Sequence, residues 1–149
     1  MRIYIDTSVV GGFYDTEFEI ATKEFFKNVE TGGFTLVISE LLEAELLRAP
    51  EHVRNHLGKY SAKHFEKVEL TEEAKELADR YIAEQVVGKT SKADCQHIAI
   101  ATLNKVDVLV SWNFKHIVNL KRIRGYNSVN LKFNYSILEI RTPKEIAEL

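Results

Sequence analysis

The sequence predicts an α/β domain whose mostly parallel sheet is covered by helices on both faces. Short apolar strands alternate with amphipathic helices, and no hairpin dipeptide such as Asn-Gly joins two strand-like runs. The chain has 149 residues, 45% of them hydrophobic and 28% charged, with only two prolines and seven glycines. That suits one domain over residues 1–149, mostly regular in structure and with a real core.

RIYI, residues 2–5, is rich in strand formers and ends at Asp6, Thr7 and Ser8, a strand running into a loop. From Glu17 to Val29, Ile20, Phe25, Phe26 and Val29 recur at helical spacing until Gly32 and Gly33 stop the pattern. FTLVI, residues 34–38, is the second strand, and Ser39 is a natural N-cap for the helix ELLEAELLRA, which Pro50 ends. A polar helical stretch over 51–64 leads to a short strand at 66–70. TEEAKELADRYIAEQ, residues 71–85, is a capped helix with an apolar stripe. After the VVGKT loop, SKADCQHIAIATLNK is a second capped helix, followed by a buried strand over 106–111. WNFKHIVNLKRI predicts one or two short helices. SILEI is the last strand, and TPKEIAEL a helix with Thr142 as N-cap and Pro143 at its first position.

Cys95 is the only cysteine, which excludes an internal disulfide and a Cys-based zinc cluster and agrees with a reducing, cytoplasmic setting. No stretch reads as a membrane span or a signal peptide. The net charge of −2 is unevenly spread. Residues 1–50 carry 4 basic and 9 acidic side chains, residues 51–100 carry 8 and 9, and residues 101–149 carry 8 and 4. Such a gradient suits cation binding in one place and polyanion binding in another, or is a chance spread of solvated charge.

Ligands of parallel sheets sit beyond the carboxyl ends of the strands. Asp6 follows the first strand there, or serves as a turn or cap. In the helix after FTLVI, Leu41, Leu42, Leu46 and Ala49 share one side of the wheel, and Glu45 falls inside that arc while Glu40 and Glu43 fall outside it. A carboxylate facing a core is costly unless paired, hydrogen-bonded or bound to metal. Glu45 is therefore a functional group, half of a salt bridge with Arg48 or another basic group, or a side chain that snorkels out from the edge of the arc. Ser91 and Asp94 have capping-box spacing, and Asp94 shares a face with His97, Ile98 and Ala101. His97 itself reads as a core-edge histidine.

Together these residues resemble the PIN-domain nucleases, and specifically the VapC-like toxins of type II toxin-antitoxin pairs. The resemblance covers nearly the whole chain. IYIDTSVV matches the family's opening strand, Asp and small hydroxyl residues at Asp6, Thr7 and Ser8; ISELLEAELLRAP supplies the family's glutamate at Glu45; ADCQHIAIAT places the third acid at Asp94. LVSWNFKHIVNL resembles the fourth motif, with Ser111, Trp112 and Asn113 where many members have Ser or Thr, one residue, then Asp. Asn113 thus stands where a fourth carboxylate is common, and SWNFKH is similar to a recurring variant of that motif.

The resemblance implies a three-layer α/β/α sandwich around a sheet of about five strands. It implies a Mg²⁺- or Mn²⁺-dependent endoribonuclease with Asp6, Glu45, Asp94 and Asn113 catalytic, the first three as metal ligands and Thr7, Ser8 and Ser111 in support. Clustered carboxylates with oxygen-only ligands suit those ions. An antitoxin partner and a homodimer are also implied. Between Ser111 and Lys132 the chain carries Lys115, Lys121, Arg122, Arg124 and Lys132, no acid, and the interleaved His116, Trp112, Phe114 and Tyr126. This strip is a candidate RNA-binding surface, with Phe114 assigned to the core and Trp112 left open. Asn119, Asn127, Asn130 and Asn134 either bond RNA or shape loops. A haloacid-dehalogenase-like phosphatase fits poorly, because Ser8 stands where that family has its second Asp. The remaining rival is a PIN-like module that binds RNA or protein without cutting.

Overall fold

The computed structural model describes residues 1–149. Strand β1 (Arg2–Ile5) runs into the short helix α1 (Thr7–Gly12), and α2 (Glu19–Glu30) follows. β2 (Thr35–Ser39) leads directly into α3 (Glu40–Leu46), whose first turn is held by Ser39 Oγ accepting from the Leu42 amide at 3.0 Å. Pro50 caps the single-turn helix α4 (Glu51–Arg54). Two 3₁₀ turns, His56–Lys59 and Ala62–His64, then connect to β3 (Phe65–Val68). α5 (Glu72–Ala83) starts at the Thr71 cap, and α6 (Lys92–Leu103) follows a 3₁₀ turn at Lys89–Ser91. β4 (Val108–Val110), α7 (Leu120–Lys132), β5 (Ile140–Arg141) and α8 (Pro143–Ala147) complete the chain. In α8, Thr142 is the N-cap and Pro143 occupies the first turn, as the sequence predicts, and Glu145 completes a capping box with Thr142.

The five strands lie in the order β3-β2-β1-β4-β5 and every pair is parallel. Alternation along the strands sorts the core into two layers. Ile3 and Ile5 of β1 join Phe25, Phe26, Leu36, Ile38, Leu42 and Val108 on the face covered by α1, α2, α3 and α8. Tyr4, between them in sequence, joins Leu77, Tyr81, Ile98, Leu109 and Tyr126 on the face covered by α5, α6 and α7. Each fully buried aliphatic or aromatic side chain contributes on the order of 1.5–3 kcal/mol. No helix is long and apolar enough to cross a membrane.

Four expectations fail locally. Residues 51–64 form no continuous helix, because His56 is drawn fully inside between Tyr14 OH (2.8 Å) and Tyr60 OH (3.0 Å), and the chain turns tightly around it. Residues 112–119 form turns rather than a helix; helix begins only after Asn119 caps the Arg122 amide at 3.0 Å, and it then runs to Lys132. SILEI forms a sheet only at its end, since the Asn127 side chain takes both backbone groups of Leu138, at 2.7 and 3.1 Å. Ile20 is 84% exposed: α2 begins at Glu19 and turns Thr22, Phe25, Phe26 and Val29 inward instead.

Candidate active site

The sheet order reverses between β1 and β4, because the chain builds β2 and β3 on one side of β1 and then returns to add β4 and β5 on the other. Ile5 lies beside Val110, so Asp6 and Ser111 leave the sheet together at this topological switch point. Ser111 Oγ donates to Asp6 Oδ2 at 2.6 Å and Ser8 Oγ to Oδ1 at 2.5 Å. Asp6 is the N-cap residue of α1, but its carboxylate is turned onto the two hydroxyls and makes no well-formed cap hydrogen bond, the Val9 amide acting on it only as the weakest of the influences that lower its pKa. It is 5% exposed and in no salt bridge. Burial raises its pKa above the usual carboxylate range, against the opposing pull of His97 and the two hydroxyls.

Glu45 is held at one oxygen. Thr7 Oγ1 donates to Oε1 at 2.6 Å, and His97 Nε2 lies 2.6 Å from the same atom. His97 Nδ1 is 2.5 Å from the hydroxyl of Tyr4, which is fully buried. Burial acts to raise the Glu45 pKa, but the His97 bond and charge, with help from Thr7 and Arg48, bring it below its ordinary value. The partner is thus His97 on α6; Arg48 is exposed and adds only charge.

Asp94 sits on the first turn of α6 without the predicted capping box: Ser91 makes no cap bond, and its buried Oγ has no partner at all. The preceding 3₁₀ turn gives Ser91 a φ of −96° and ψ of 21°, away from the extended backbone of an N-cap. Asp94 Oδ1 instead accepts from Asn113 Nδ2 at 3.3 Å. Asn113 Oδ1 accepts the His116 amide at 2.9 Å, so one lone pair of that carbonyl is engaged in a turn. Burial, then the charge of Asp6, raise the Asp94 pKa against the lowering influence of His116. Two acidic groups therefore sense each other across the site.

The PIN-domain family profile matches residues 3–115 of this chain. The chain belongs to the PIN-domain family. The fold agrees with a chain in the crystal structure of VapBC2 from Rickettsia felis bound to a DNA fragment from their promoter, with a TM-score of 0.58 at 10% identity over 95% of this chain and 98% of that one. No curated protein matches the sequence significantly.

In this PIN domain the donor set is oxygen-only and strongly acidic, which fits a hard divalent cation. Glu45 Oε2 and Asp94 Oδ2 accept no hydrogen bond, and the orphaned Ser91 Oγ and His116 Nδ1 belong to residues flanking Asp94 in sequence and charge. No three His, Cys, Asp or Glu side chains lie close enough to enclose a bare ion. A cation held by these side chains would keep part of its water.

The cationic strip is only partly free. Arg122 is tied to the Val86 carbonyl and Lys132 to Glu84, while Lys115, Lys121 and Arg124 are exposed and in no ion pair. The Arg122 bond ties α7 to the segment after α5, three residues before the exposed Lys89. His116 works through its backbone, its carbonyl accepting from Tyr126 OH at 2.7 Å. Phe114 is exposed rather than core, and Trp112 is buried, stacked on Phe18 with centroids 4.4 Å apart. Both line an open cleft of about 580 Å³ with Glu17, Glu24 and Glu148 on its walls, a poor setting for phosphates. The asparagines are structural: Asn119 caps α7, Asn127 holds Leu138, Asn130 is buried against Tyr81 and Thr102, and Asn134 takes a φ of 67° after α7.

Proposed function

We propose that this PIN domain is a metal-dependent endoribonuclease that hydrolyses RNA phosphodiesters with water, and that it is the VapC-like toxin of a toxin-antitoxin pair. The observation carrying the reading is the buried Asp6 at the β1/β4 switch point, which has no cationic partner, feels the charge of Asp94 and is followed by Thr7, the donor to Glu45. A Mg²⁺ or Mn²⁺ ion bound there would lower the pKa of a water and offset negative charge on the phosphate. Asp6, Glu45 and Asp94 would hold it; Ser8 and Ser111 fix the Asp6 carboxylate, Thr7 and His97 fix Glu45, and Asn113 fixes Asp94. Lys115, Lys121 and Arg124, exposed and in no ion pair, bind the RNA phosphates. No side chain acts as the nucleophile. A small antitoxin protein covers the site when activity is held in check, the chain works as a homodimer, and it resides in the cytoplasm.

A second reading, a PIN-like module that binds RNA or protein without cutting, draws on the neutral Asn113 and the open spacing of the carboxylates. Incubating the protein with a mixed RNA pool, with and without Mg²⁺ or Mn²⁺, and mapping the new ends decides between them. Cleavage that EDTA, Asp6→Ala and Asp94→Asn each abolish in folded protein supports the nuclease; cleavage retained in both variants refutes this site.

A further inference from the structure

We propose that Tyr4 and His97 form a buried positioning unit for Glu45, which occupies Oε1 and leaves Oε2 as the oxygen offered to the cation. This rests on the nuclease reading above and extends its His97–Glu45 contact to Tyr4 and to the choice of carboxylate oxygen.

His97 is 3% exposed and Tyr4 fully buried, so neither can be oriented by solvent. Their contacts make a continuous line from Ser39 Oγ to Tyr4 OH (2.8 Å), to His97 Nδ1 (2.5 Å), and from His97 Nε2 to Glu45 Oε1 (2.6 Å). Ser39 also caps α3, the helix that carries Glu45, so the line begins and ends on one element and passes through β1 and α6. Proton placement follows from the chemistry of the groups. The carboxylate can only accept, so Nε2 must carry a proton facing it. The Tyr4 hydroxyl donates to Ser39 Oγ, so its oxygen is left to accept from His97 Nδ1–H. Nε2–H points at Oε1, and Tyr4 holds the opposite edge of the ring so that it stays there. With Thr7 on the same oxygen, Oε1 has two donors and Oε2 none. Groups that orient ligands from behind typically alter metal affinity about 10–100-fold when removed.

The test uses Mn²⁺ alone, titrated calorimetrically into the full chain, with kcat and KM for RNA measured alongside. Gln places an amide N–H near the position of imidazole Nε2, whereas Asn reaches only as far as Nδ1. Expected results are a roughly 10–100-fold weaker Mn²⁺ affinity in His97→Asn and His97→Ala, rescue to within a few-fold in His97→Gln, and an intermediate loss in Tyr4→Phe. kcat should fall in the same order with KM for RNA unchanged. Circular dichroism and thermal unfolding check each fold; if His97→Ala does not fold, the Asn and Gln pair, which fill the volume, carries the comparison. Wild-type Mn²⁺ affinity in His97→Asn overturns the positioning role alone, provided that Glu45→Gln weakens binding. Failure of the wild-type chain to bind Mn²⁺ overturns the nuclease reading and this one with it.

Discussion

Gly12 closes α1 against the indole of Trp112, and a Cβ added there would lie 2.7 Å from Trp112 Cδ1, 2.8 Å from Nε1 and 2.9 Å from Thr22 Oγ1. Ordinary contact begins near 3.4 Å, so something must move by more than half an ångström. The indole cannot yield freely: it stacks on Phe18 and donates through Nε1 to Thr22 at 3.0 Å, while its backbone amide donates to Ser8 Oγ at 2.9 Å. Gly12→Ala therefore overpacks a closed site at about 1–3 kcal/mol and strains a hydrogen bond worth about 1 kcal/mol. Helix propensity returns up to about 1 kcal/mol. The net destabilisation is about 1–3 kcal/mol, or a Tm lower by roughly 3–10 °C for a chain of this size. Gly11, one residue earlier, has open space where a Cβ would project, with nothing within 4 Å, so Gly11→Ala should raise Tm slightly. Because Ser8 bonds both Trp112 and Asp6, Gly12→Ala should also depress cleavage while Gly11→Ala leaves it unchanged. Thermal unfolding of both variants beside wild type tests this, and a Gly12→Ala as stable as Gly11→Ala refutes the packing argument.

Asp94→Asn keeps the acceptor for Asn113 but removes a buried charge whose pKa is raised, so at pH 8 in EDTA it should unfold at higher temperature than wild type. The raised pKa means the folded chain holds its proton longer than the unfolded one; the gain should shrink as pH falls into the acid range, and a gain independent of pH refutes it. Asn113→Asp places a second carboxylate against Asp94, and should lower Tm in EDTA while enlarging the rise produced by Mg²⁺; an unchanged Mg²⁺ response contradicts the cation assignment. His56 is held neutral, its pKa lowered to about 4 by burial and by Lys59. Between about pH 6.5 and 4 the unfolded chain takes up a proton that the folded chain refuses, so about 3 kcal/mol of stability should be lost over that window. Urea unfolding of wild type and His56→Gln across it should show the slope only in wild type. For the RNA surface, Lys121→Glu with Arg124→Glu should weaken RNA binding and flatten its salt dependence by about 0.7 for each phosphate no longer neutralised, whereas Lys132→Ala, already paired with Glu84, should do neither.

The alternation of RIYI, FTLVI and VDVLV with capped helices is enough to predict a parallel α/β sandwich, since side-chain period and cap chemistry are local properties of the chain. Asp6 and Glu45 stand out for a related reason, since a carboxylate just past an apolar strand or inside an apolar arc breaks a local pattern, whereas Asp94 reads locally as a helix cap and is singled out by the family resemblance. Signals fail where a distant group rewrites local preference. Ser91 and Asp94 have capping-box spacing, yet Asn113, nineteen residues on, takes the Asp94 carboxylate. Asn127 diverts Leu138 from the sheet, and Phe114, apolar between polar neighbours, lines a surface cleft.

Sequence by itself determined which residues are acidic, which faces are apolar and where most elements begin, because those depend on neighbours within a turn or two. Only the tertiary structure decided that β4 returns to the side of β1 opposite β2, which brings Ser111 onto Asp6 across 105 residues, and that His97 rather than Arg48 answers Glu45 across 52. Charge pairing inside a protein is set by which backbones the sheet order places side by side, and strand order is a property of the whole chain.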